Sequence, residues 1–152
     1  MARAAGGQPR PPKPPAWEDV ARFYSGGNMR PGGITYDWTN TNGTTIYPGS
    51  GQIRLNPALQ KSRDAFLKDS GGKTFGQRRG AVILGTPFLS TLIHEALHNR
   101  ATTPDFDPAQ EVGPTDFGVR LIPDLLQRFF GVPMDSRLGK MATAMVLQNL
   151  KR

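Results

Sequence analysis

The chain has two histidines, four residues apart, with a glutamate directly after the first: His94-Glu95-Ala96-Leu97-His98. On a helix, side chains at i and i+4 lie one turn above the other, so two imidazoles spaced this way can share a single ion. Tetrahedral Zn2+ takes imidazole nitrogen at about 2.0–2.1 Å. Glu95 stands about 100° further round, near such an ion without being its natural third ligand, where a carboxylate can accept a proton from ion-bound water. The residues therefore read as a hydrolytic site, with His94 and His98 as metal ligands and Glu95 as general base. The competing reading is a surface helix that happens to carry both rings. With two His and three Glu in 152 residues, shuffling produces this arrangement with odds of roughly one in four thousand.

A helix has to present these side chains. Thr86 is a good N-cap and Pro87 a good first residue, which predicts a helix from Pro87 to about Arg100. On it Leu89, Leu92, Ile93, Ala96 and Leu97 share an arc of about 140° that packs on the core, leaving the histidines on the opposite side. Upstream, residues 17–24 suit a short helix with Trp17, Val20, Ala21 and Tyr24 on one side. Three extended candidates follow at 34–39, 44–47 and 52–56, the first two flanking Asn42-Gly43 as a hairpin with a primed turn. Residues 57–69 read as a helix capped by Asn56, followed by a basic, glycine-rich loop over 70–80. The Gly72-Lys73-Thr74 in that loop is not a phosphate-binding P-loop, because the motif's first glycine would fall at Leu67 and a helix, not a strand, precedes it. A second apolar helix is expected over 115–130, kinked or restarted at Pro123. Gly131 and Pro133 stop it, and a last helix is capped by Asp135 or Ser136. The resulting fold class is α+β: a small, mostly antiparallel sheet packed against the histidine-bearing helix and two further helices, all within residues 16–152.

The HExxH pattern resembles the zincin superfamily of metallopeptidases. The resemblance implies a twisted antiparallel sheet over the HExxH helix, with an edge strand that pairs with extended substrate, a role that residues 52–56 suit. The metzincin continuation would need Gly at 101 and His at 104, where this chain has Ala101 and Pro104. With no third histidine, an acid has to complete the site, as Glu does in gluzincin-type members. Asp105, Asp107, Glu111 and Asp116 are the downstream candidates. Extending the period of Gly118, Leu121, Ile122, Leu125 and Phe129 backwards puts position 111 within about 20° of the inward face and Asp116 about 160° away. Glu111 is therefore the preferred third ligand and Asp116 the alternative. Gly118 inside a helix, which costs about 1 kcal/mol relative to Ala, is explained by close approach to the HExxH helix. Arg100 and Arg120 are candidates for oxyanion stabilisation.

The predicted activity is a zinc-dependent peptidase or amidase acting on a peptide or protein substrate, with Zn2+ as the cofactor. Its alternative is a zincin-fold structural component, such as part of a phage virion or tail, since small chains with an HEALH-type helix resemble products of phage and bacterial genomes. Residues 1–15, with five prolines and no acidic residue, read as a flexible basic arm able to dock on a larger protein assembly. The absence of cysteine excludes disulfides, thiolate nucleophiles and Cys-held zinc. The net charge of +7 is scattered and not gathered into one stripe, so nucleic acid is not an expected partner. No signal-peptide core or membrane-spanning run is apparent, which predicts a soluble protein, cytoplasmic or virion-associated.

Overall fold

In the computed structural model, which describes residues 15–46, 49–100 and 118–150, the helix that carries the histidines runs straight through Pro87. The elements are α1 (Trp17–Tyr24), β1 (Ile34–Tyr36), β2 (Gly43–Thr45), β3 (Ile53–Leu55), α2 (Leu59–Asp69), α3 (Phe75–His98), α4 (Ile122–Phe130) and α5 (Arg137–Leu150). The α+β class is as expected, and α1, α2, α4 and α5 stand where the four other helices were expected.

α3 begins twelve residues before the expected start. Its cap is Thr74, whose hydroxyl accepts from the Gln77 N–H at 3.1 Å while the Gln77 side chain accepts from the Thr74 N–H at 3.2 Å. This reciprocal pair satisfies two N–H groups that a helix start leaves open. Thr86, the expected cap, instead donates its hydroxyl to the Val82 carbonyl. Pro87 interrupts the ladder from inside, and the repair comes from α2. The Ser62 hydroxyl donates to the Leu84 carbonyl at 2.7 Å and accepts from the Phe88 N–H at 3.1 Å, bridging two groups that a regular helix would pair directly. One residue before Thr86 the helices nearly touch: a Cβ on Gly85 would lie 2.6 Å from the Phe66 Cβ.

From Phe88 to His98 α3 is buried on almost every side, whereas Ile83 and Leu84, earlier on it, are exposed. A stretch buried on every side in this way lies in the middle of a core. α3 is the one described helix long and apolar enough to cross a membrane, and 61% of that apolar window is buried inside the fold. The Trp17 ring meets Phe66, Phe88 and Phe130, joining α1, α2, α3 and α4. Pro123 sits in the first turn of α4, and residues 118–120 are helical before a turn at Leu121. Of the two expectations there, the fresh turn is the one found.

The sheet differs from expectation. Its order is β1-β3-β2, with β3 parallel to β1 and antiparallel to β2, so the sheet is mixed and there is no β1–β2 hairpin. The strand expected at the edge is the central one. β3 carries two fully buried aliphatics, Ile53 and Leu55, which earn it the middle position, while β1 and β2 are half-exposed. Gly43 is a strand residue, not a turn residue. A Cβ there would sit 2.9 Å from Thr91 Cγ2 and 3.2 Å from Leu55 Cδ2, so its absence lets β2 lie directly on α3.

Candidate metal centre

The last two turns of α3 bring the motif together. His94 Nε2 and His98 Nε2 are 3.2 Å apart, with ring centroids 4.8 Å apart and the rings inclined at 72°. Two nitrogens bound to one tetrahedral zinc at the usual bond length stand about 3.3 Å apart, so this spacing is the bite that such an ion requires. The same spacing allows one N–H···N hydrogen bond between the rings, with one ring donating. Glu95 Oε2 lies 3.7 Å from His94 Nε2. One potential ligand atom from each of the three residues falls within 4.8 Å of the others. Two imidazoles with a carboxylate beside them are nitrogen and oxygen donors of the kind that divalent transition ions, zinc among them, accept.

Burial corrects the picture of histidines on an outward face. His98 and Glu95 are 6% and 5% exposed, and only His94 is half-buried. β2 and the neighbouring loops cover what periodicity alone would leave open. Thr45, at the end of β2 and facing α3, donates its hydroxyl to Glu95 Oε1 at 2.7 Å and lies 3.0 Å from the Glu95 carbonyl. At this helix end the Asn99 N–H bonds the Ala96 carbonyl, which leaves the Glu95 carbonyl beside the Thr45 hydroxyl instead of paired within the helix.

Asn99 anchors the end of the helix. Its side-chain oxygen accepts from the Gly51 N–H at 3.1 Å, its carbonyl accepts from Asn28 Nδ2 at 3.0 Å, and its amide contacts Met29 Sδ. Sequence reasoning missed both Thr45 and Asn99. Asn99 could have been suspected as a polar residue directly after His98 at the helix end, whereas Thr45, fifty positions from Glu95, carries no local signal.

Gly118 packs where the sequence placed it. A Cβ there would be 2.7 Å from the Ser90 carbonyl oxygen and 3.2 Å from His94 Cβ, so this segment runs against the His94 side of α3. Glu111, Asp116, Asp105 and Asp107 lie outside the described residues. Arg100 is exposed and lies beside Gly26, at the end of α1, and Arg120 is exposed on the helical turn after Gly118. No described contact brings either arginine to the cluster. No family model matches this chain, and no curated protein or solved structure matches it.

Proposed function

We propose that the chain is a zinc-dependent peptidase or amidase of zincin type. The observation that carries this reading is the 3.2 Å separation of the two imidazole nitrogens with the Glu95 carboxylate 3.7 Å from one of them. His94 and His98 would hold the ion, with Glu111 as the acid that completes its shell and Asp116 as the alternative. Support for an acid from this part of the chain is continuity: the segment that carries both ends immediately before Gly118, which packs on His94. Bound zinc supplies a Lewis acid that polarises the scissile carbonyl and acidifies water.

The chain's own residues do the rest. Glu95 accepts the proton of the attacking water and delivers it to the leaving amine. Its burial keeps bulk water from competing for that proton, and Thr45 holds one of its oxygens. His98, buried directly before the Asn99 anchor, keeps its ring in register with His94.

The test is cleavage of a mixed peptide library by the zinc-loaded wild type and by Glu95→Gln, with zinc content measured on both. The expected result is cleavage by the wild type, and zinc retained with activity reduced roughly 10²–10⁴-fold in the variant. Zinc bound without cleavage by the wild type would overturn the enzyme reading in favour of a structural component, such as part of a virion or tail.

A further inference from the structure

Glu95 stands on a boundary between two roles. Donor atoms that share a tetrahedral zinc are separated by about 3.3 Å, and Glu95 Oε2 is 3.7 Å from His94 Nε2. The three donor atoms lie within 4.8 Å of one another, so a carboxylate that turned further inward would become a ligand, and a carboxylate bound to the ion cannot serve as base. The other oxygen, Oε1, accepts from the Thr45 hydroxyl at 2.7 Å, a well-formed O–H···O bond. The same hydroxyl oxygen is fixed against the helix end, 3.0 Å from the Glu95 carbonyl. It can reach that far only because Gly43, two residues earlier on the same strand face, has no side chain to hold β2 off α3.

We infer that Thr45 is a positioning residue that keeps the Glu95 carboxylate turned to the base role and out of the metal's ligand shell. This inference rests on the metal-hydrolase reading above. A hydroxyl is the group the task calls for: one donor, short enough to sit between strand and helix, and without a charge of its own. A purely structural Thr45 would fasten β2 to α3 and leave the ion's surroundings unchanged, so the two roles predict different spectra.

The experiment replaces zinc with Co2+, whose visible absorption reports coordination number, in the full-length wild type, Thr45→Val, Thr45→Ser, Thr45→Ala and Thr45→Val/Glu95→Gln. Thr45→Val keeps the shape and loses the donor. It is expected to shift the band towards the weaker absorption of a higher coordination number, with kcat reduced about tenfold or more and KM within about twofold. Thr45→Ser should restore the wild-type spectrum and rate. Adding Glu95→Gln to Thr45→Val should return the spectrum to the wild-type form, because the entering ligand is gone. Thr45→Ala provides the same comparison if the valine variant does not fold. Stoichiometric Co2+ with identical spectra in wild type and Thr45→Val would overturn the role of Thr45 alone. Failure of the wild type to take up Co2+ would overturn the metal site, and this inference with it.

Discussion

Around Pro87, α3 meets α2: Gly85 lies against Phe66, and the Ser62 hydroxyl sits in the opened ladder. Around His98 the same helix meets β2 and the loops at Asn28 and Gly51, through Thr45 and Asn99. The first junction is apolar apart from one inserted hydroxyl. The second is a set of directed hydrogen bonds around three groups able to bind an ion. The same helix is therefore fixed by packing at its middle and by polar contacts at its C-terminal end. Ridge and groove tolerate small displacements, whereas a bite of 3.2 Å between two nitrogens does not.

The contrast predicts that substitutions near Pro87 change stability and leave metal stoichiometry alone, while those near His98 do the reverse. The largest effect is expected for Phe66→Ala. This ring is 1% exposed and fills the Gly85 contact while touching Trp17 and Phe130, so chemical denaturation should show a loss of about 3–5 kcal/mol. Zinc per folded chain should not change; a parallel loss of metal would mean that the two junctions are coupled. Ser62→Ala leaves the Leu84 carbonyl and Phe88 N–H without their bridge. The site is partly open to water, so the expected loss is about 1 kcal/mol by the same measurement.

The smallest effect depends on pH and lies away from both junctions. Tyr24 is buried and donates to Asp124 Oδ2 at 2.7 Å; burial first, and then the bond to Asp124, raise its pKa far above the ordinary tyrosine value. An unfolded tyrosine ionises near pH 10 and the folded one does not, so this stabilisation is complete below about pH 10 and is lost as pH rises beyond it. Tyr24→Phe should be less stable than the wild type at neutral pH by about 1 kcal/mol. Denaturation curves taken from pH 8 to 11 should show that difference shrinking above about pH 10. A constant difference would contradict the stated environment of Tyr24.

Much of this organisation was legible in the sequence where its cause was local. The α1 boundaries follow from Trp17, Val20, Ala21 and Tyr24 recurring at helical spacing, and the HExxH turn from its five residues. The strand positions were found within a few residues, but their order was not. Asn42-Gly43 carries the signature of a tight turn, yet Gly43 is demanded by contact with Thr91 across the fold, and sequence-local turn chemistry cannot register that contact. The start of α3 was misplaced because Thr86-Pro87 imitates a helix start, although Thr74-x-x-Gln77, the capping box actually used, was present in the chain. Proline was tolerated inside because Ser62 is supplied from another helix. Thr45 was illegible for the same reason: it is brought to Glu95 by sheet topology and not by spacing.

The central claim is that the last two turns of α3 hold a single ion between two imidazoles. Elemental analysis of purified wild type, His94→Ala and His98→Ala, each equilibrated with zinc and then passed through a desalting column, tests it most directly. The account predicts about one zinc per wild-type chain and near-complete loss in both variants, with the fold retained by circular dichroism. Less than about 0.2 zinc per wild-type chain, or undiminished zinc in the variants, would contradict it.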